Sequence, residues 1–141
     1  MSLIYWDTML FAYWIEGNAR FGPRVQAIKQ AIENRNDRLC TSVFTVGETL
    51  AGPRKRNQPD IVDRLLTYFR SDQIEILPFT FSTSELYSAI RALHRVPPAD
   101  AIHLATASQA RVDLFVTNDH QLQKVHVPGI QFISGLEGKI I

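Results

Sequence analysis

The segment Pro98-Ala99-Asp100-Ala101-Ile102-His103-Leu104-Ala105-Thr106-Ala107 constrains the fold of this chain more than any other, because a buried strand comes so soon after it. Shortly beyond Arg111 lies the apolar run Leu114-Phe115-Val116-Thr117. An alanine-rich stretch that opens on proline predicts a helix with proline in its first turn, here over Pro98–Arg111. A short apolar run bounded by polar residues predicts a strand buried on both faces. Across a link this short, the helix can feed a parallel strand only by running from the carboxyl edge of the sheet to the amino edge. Its first turn, which holds Asp100, then lies at the carboxyl edge. Asp119, just beyond the strand, lies there too.

The rest of the chain repeats this alternation. Further strands are expected at Leu3–Asp7, Leu39–Ser42, Ile74–Phe79 and Ile130–Ile133. In Asp60–Arg70 the residues Ile61, Val62, Leu65, Leu66 and Phe69 recur at helical spacing, and Ser84–Arg95 does the same with Leu86, Ile90 and Leu93. Helices are also expected over Arg20–Glu33 and from about Phe44 to Ala51. Strands alternating with helices predict the α/β class, with a mainly parallel sheet covered on both faces. The pattern leaves the strand order open. With no repeats or long linkers, residues 1–141 are expected to form one domain.

Composition removes several classes. Hydrophobic residues make up 45% and charged residues 21%, as in ordinary soluble proteins. No apolar run approaches the roughly 20 residues of a membrane span. The start, Met1-Ser2-Leu3-Ile4-Tyr5-Trp6-Asp7, lacks a basic region and carries an acid, so it is expected to be a strand and not a signal peptide. The single cysteine, Cys40, excludes an internal disulfide and a Cys-based zinc site. It is expected to be a small buried strand residue in a cytoplasmic protein. A net charge of +1 means that nucleic acid would have to bind through a local patch or a metal.

Two more acids reach the carboxyl edge by the same logic. Asp7 ends the first strand, and Glu48 falls in the first turn or so of the helix after the second. Ligands of open α/β sheets bind outside that edge, where the strand order reverses. Taken singly, each acid has an ordinary explanation: Asp100 a helix start, Asp119 a turn, Glu48 a solvated helix residue, Asp7 a cap. Together they crowd like charges, which raises their pKa values and costs stability. No Lys or Arg is adjacent to any of them in sequence. A hard divalent cation keeps such groups ionised, and oxygen donors suit Mg²⁺ or Mn²⁺. Such a site can acidify a bound water for in-line attack on phosphorus, and a second ion about 3.5–4 Å away can stabilise the leaving oxygen.

These residues resemble a known family. Tyr5-Trp6-Asp7-Thr8, Ser42-Val43-Phe44-Thr45-Val46-Gly47-Glu48, Ala99-Asp100-Ala101-Ile102-His103-Leu104-Ala105-Thr106-Ala107 and Val116-Thr117-Asn118-Asp119 look like the motifs of PIN domains, specifically the VapC-type ribonuclease toxins of toxin–antitoxin pairs. The resemblance spans residues 3 to about 133 and places the family's acidic quartet on Asp7, Glu48, Asp100 and Asp119. Thr117 matches the hydroxyl that supports the site, with Thr8 and Asn118 beside it. It implies a three-layer α/β/α fold with strand order 3-2-1-4-5 and Mg²⁺- or Mn²⁺-dependent cleavage of RNA, leaving a 5′-phosphate and a 3′-hydroxyl. It further implies a homodimer held inactive by a small antitoxin protein.

Other residues have two readings each. Arg54, Lys55 and Arg56, expected in a loop after the Glu48 helix, are either solvated surface charge or contacts to an RNA backbone, and so is Arg95. His103, one helical turn from Asp100, is expected to pack or support the site and not to act as a general base. Phe11, Ala12, Tyr13, Trp14 and Ile15 exceed what one helix face can bury, so part of this surplus is expected to line a partner groove. Two further functions remain: a PIN scaffold that binds RNA or protein without cleaving, and a Mg²⁺-dependent phosphoryl-receiving domain. The latter lacks the expected Asp-x-Asp, since Thr8-Met9 comes after Asp7, and has no lysine after the fourth strand until Lys124.

Overall fold

The computed structural model describes residues 1–137. Strands β1 (Leu3–Trp6), β2 (Arg38–Ser42), β3 (Glu75–Leu77), β4 (Leu114–Val116) and β5 (Phe132–Ser134) form a parallel sheet in the order β3-β2-β1-β4-β5. It is flanked by α1 (Thr8–Glu16), α2 (Gly22–Asn34), α3 (Val43–Lys55), α4 (Pro59–Phe69), α5 (Phe81–Leu93) and α6 (Pro98–Ala110). The expected class and order are therefore observed. No helix among the described residues is long and apolar enough to cross a membrane.

The alternation of β1 divides the core. Ile4 and Trp6 point to one side, where they meet Leu10, Phe11, Val25, Ile28, Leu65 and Phe69 of α1, α2 and α4. Tyr5 points to the other, among Leu104, Ala105, Phe115 and the buried Cys40. Helix α6 is buried along most of its circumference, from Ala101 through Ser108. Small side chains let it lie close to the sheet and to α5, which is why it has no amphipathic stripe. Arg111 closes α6 in the left-handed conformation (φ 55°), and Asp113 is all that separates Val112 from β4. The order reverses at β1: the chain lays β2 and β3 on one side of it, then crosses back to β4 on the other. Asp7 leaves β1 and Thr117 leaves β4 at this point, joined by the Asp7 amide on the Val116 carbonyl (3.3 Å).

Among the expected bounds, those of the last strand and of the helix after β2 need correction. The last strand begins at Phe132, not Ile130. The Ile130 amide bonds back to the Val127 carbonyl, closing a turn around Gly129 (φ 94°), where a Cβ would come within 2.7 Å of the Ser108 carbonyl. Helix α3 runs on through Pro53 to Lys55, beyond the expected Ala51. The aromatic residues after Asp7 pack partly against the fold, with Tyr13, Trp14 and Ile15 left half-buried. Tyr13 packs on Phe21 (4.9 Å) and Trp14 on Tyr68 (4.8 Å), while Phe11 meets Trp6 and Phe69. Apolar side chains are more exposed at the two ends of α5, where Phe81 is 84% exposed and Leu93 78%.

Candidate active site at the carboxyl edge

Asp7 is the N-cap of α1 and is only 8% exposed, at the seam between β1 and β4. Its Oδ2 accepts a hydrogen bond from Thr117 Oγ1 (2.5 Å), whose oxygen in turn accepts from the Asp119 amide (3.1 Å). Its Oδ1 is buried and makes no hydrogen bond of normal geometry, although the Met9 and Leu10 amides face the carboxylate. Burial pushes the Asp7 carboxyl up from its ordinary range. The Thr117 hydroxyl, His103 and the amides at the start of α1 oppose that shift without reversing it.

Glu48 is the sixth residue of α3, one residue further along than expected, because the helix starts at Val43 behind a Ser42 cap. Its Oε1 accepts from Thr8 Oγ1 (2.5 Å) and faces Nε2 of His103 (2.9 Å). The His103 bond, reinforced by Thr8, holds the Glu48 carboxyl below its ordinary range despite partial burial. Asp100 sits in the first turn of α6. Desolvation raises it, and the charges of Asp119 and Glu48 raise it further. Asp100 thus feels two of the other acids, while the Thr117 hydroxyl links the Asp7 carboxylate to the Asp119 amide.

None of the four is ion-paired to Lys or Arg among the described residues. Their donor atoms are all oxygens, and an orphaned buried carboxylate oxygen is what a hard cation would satisfy. No three acidic, histidine or cysteine side chains among the described residues stand as a ready ligand cluster.

The supporting residues divide. Thr8 and Thr117 bond directly to acids, to Glu48 and Asp7 respectively. Asn118 instead gives its amide to the Tyr13 hydroxyl (3.2 Å), which ties the loop after β4 to α1. Asp119 also serves its own turn, with Oδ1 accepting from the Gln121 amide (2.8 Å). The basic trio is not in a loop: Arg54 and Lys55 form the last turn of α3 and Arg56 caps it. Arg56 is committed to Glu16 (3.1 Å) and Gln58 (3.0 Å). Lys55, seven residues after Glu48, comes back to nearly the same helix face about 10 Å further on. Arg95 is exposed just ahead of α6, near Asp100 in sequence.

Tyr5 stands in one of the quoted motifs, but no role in this constellation was expected of it. Its hydroxyl lies 2.7 Å from Nδ1 of His103, behind Glu48. A phenol in a buried strand must find a polar partner, and that was the available signal.

Residues 4–127 match the PIN domain family. No curated protein matches the chain in sequence. Among solved structures, the chain is similar to one in the VapBC2 complex of Rickettsia felis bound to a promoter DNA fragment. The TM-score is 0.76 at 15% identity, covering 94% of this chain and 98% of that one. It is similar to VapC20 of Mycobacterium tuberculosis, a sarcin–ricin loop cleaving toxin, with TM-score 0.71 and 14% identity over 90% and 98% of the two chains. A toxin–antitoxin complex from Klebsiella pneumoniae gives 0.67 and 23% over 90% and 94%. At these identities the likeness is one of fold.

Proposed function

The chain belongs to the PIN-domain family, and from that premise we propose that it is a metal-dependent endoribonuclease, the toxin of a toxin–antitoxin pair. The observation that carries this is Asp7: a buried carboxylate with one oxygen partnered by Thr117 and the other making no hydrogen bond of normal geometry, at the edge where Glu48, Asp100 and Asp119 also stand without Lys or Arg.

Asp7 and Asp100 would be the principal holders of Mg²⁺ or Mn²⁺, with Glu48 and Asp119 completing the site directly or through water. When bound, the ion supplies an acidified water and charge neutralisation at phosphorus. Thr117 fixes the plane of the Asp7 carboxylate, so that Oδ1 is the free oxygen. Thr8 restrains Glu48 from the start of α1. Arg95, exposed ahead of Asp100, and Lys55, on the Glu48 side of α3, are the basic residues placed to contact RNA phosphates. Arg56 is occupied with Glu16 and contributes less. The toxin–antitoxin complexes among the similar structures support an antitoxin partner. The exposed Phe81 and Leu93 mark α5 as apolar surface that a second copy or another partner would cover.

The test is incubation of the purified chain with RNA in Mg²⁺ or Mn²⁺, with and without a chelator, followed by sequencing of the ends. Cleavage that requires the metal and leaves 5′-phosphates is expected. No cleavage of any RNA, or cleavage indifferent to chelator, would overturn the proposal.

A further inference from the structure

His103 stands where packing alone would favour a small or aliphatic side chain. It lies between Asp100 and Leu104 on a helix whose neighbouring buried positions include Ala101, Ala105 and Ala107. It is only 3% exposed, yet both ring nitrogens are partnered. Tyr5 Oη is 2.7 Å from Nδ1, Glu48 Oε1 is 2.9 Å from Nε2, and Thr8 Oγ1 is 3.2 Å from Nε2. Thr45 Oγ1, at 3.5 Å from Nδ1, is too distant to compete with the phenol.

The protons can be assigned from these contacts. An ionised carboxylate only accepts, so Nε2 carries hydrogen towards Glu48. The Thr8 hydroxyl has a single proton and gives it to the same Oε1, so it does not donate to the ring. In the neutral imidazole Nδ1 is then a lone pair, and the phenol that meets it is the donor. Burial keeps that phenol protonated by pushing its pKa up. The relay is also held rigid. Tyr5 stacks on Phe115 (4.9 Å, 8° between planes), and the imidazole is flanked by the Tyr5 ring at 5.9 Å and Phe44 at 5.7 Å.

We propose that His103 is a positioning residue for Glu48. The relay from the Tyr5 hydroxyl to Nδ1, and from Nε2–H to Glu48 Oε1, pins one carboxylate oxygen and leaves Oε2 alone to face the cation site. Partners of this kind fix ligand orientation and basicity behind many metal sites. The inference rests on Glu48 belonging to the cation site, and its tests are chosen to fail separately from that reading.

The first readout needs no catalysis: the ¹⁵N signals of the His103 ring in the metal-free protein at neutral pH. A hydrogen on Nε2 is expected, with Tyr5→Phe moving the Nδ1 signal and Glu48→Gln moving the Nε2 signal. A ring carrying its hydrogen on Nδ1 alone, with Nε2 bare towards Glu48, overturns the relay. The second readout is a pair of variants. His103→Leu keeps bulk and loses the donor, whereas His103→Gln places an amide N–H near the position of Nε2. The Leu variant is expected to lose about 10–100-fold in kcat for RNA cleavage, with KM little changed and Mn²⁺ binding weakened in calorimetry. The Gln variant is expected to recover most of that loss. Equal loss in both variants with unaltered Mn²⁺ binding would assign His103 to packing alone and overturn the proposal. If the Leu variant fails to fold, Tyr5→Phe replaces it, keeping the ring stack and removing only the hydroxyl. Wild-type protein that neither binds Mn²⁺ nor cleaves RNA would sink the ribonuclease reading, while the ring signals would still decide the relay.

Discussion

The two faces of the sheet are covered by different kinds of wall. On the side of α1, α2 and α4 the wall is aromatic and large. Trp6, Phe11 and Phe69 touch in series at 5.1 and 5.4 Å, and Trp14 closes on Tyr68. On the side of α6 it is built from alanines with buried polar groups between them. There, Thr106 bonds to the Ile102 carbonyl, Ser108 to the Pro128 carbonyl, and His103 to Tyr5 and Glu48. Large apolar groups contribute most to stability through area removed from water. Small ones bring backbones close enough for a polar relay to be completed without voids. Asp7 sits where both walls end, at the carboxyl edge. Stability and chemistry should therefore be open to separate damage.

The largest separation is expected at the edge itself. Asp7→Asn and Asp100→Asn should each lower RNA cleavage by about 1,000-fold or more while leaving the circular dichroism unchanged. Full metal-dependent cleavage in either variant would refute the assignment. Asp7→Asn should also raise Tm at pH 7. Burial lifts the folded-state pKa of Asp7, so above that value the fold bears a buried charge that the unfolded chain solvates. This cost is relieved as pH falls through the raised value towards the ordinary one. A variant less stable at neutral pH would contradict this sign.

On the aromatic wall the pattern should invert. Phe11→Ala is expected to cost about 3–5 kcal/mol in denaturant unfolding, while cleavage per folded molecule stays near wild type. Mn²⁺ at 100 times its Kd should stabilise the wild-type chain by about 2.7 kcal/mol and the Asp7→Asn variant by much less, as scanning calorimetry would show. On the alanine wall, Ala105→Leu should cost about 1–3 kcal/mol by overpacking. Unlike Phe11→Ala, it should also lower cleavage, because it presses on the layer that carries His103. The smallest effect is expected at the surface. The Arg56–Glu16 pair, half-exposed on both sides, should change stability by about 0.2–1 kcal/mol in a double-mutant cycle.

Much of the candidate site was legible because its signals are local. Proline at the start of α6 and the short step into β4 place Asp100 and Asp119 on one edge, and the apolar run ending at Trp6 places Asp7 there. Glu48 was legible only to within a turn, since the Ser42 cap sets where α3 begins. The covering of Tyr13 and Trp14 by Phe21 and Tyr68 was not legible, because it depends on how α1, α2 and α4 meet. The late start of β5 was hidden for a similar reason. Ile130 is buried like a strand residue, but a turn packed against Ser108 holds it.

Periodicity and punctuation along the chain determined the helices, the buried strands and the edge on which the acids fall, because each depends on a few consecutive residues. Only the tertiary structure decided that β1 lies between β2 and β4, since nothing local encodes which strand pairs with which. That order puts the Tyr5 hydroxyl against an imidazole 98 positions away and Glu48 on its other side. Hydrogen bonds over 2.7–2.9 Å exist only once the backbones that carry them are packed.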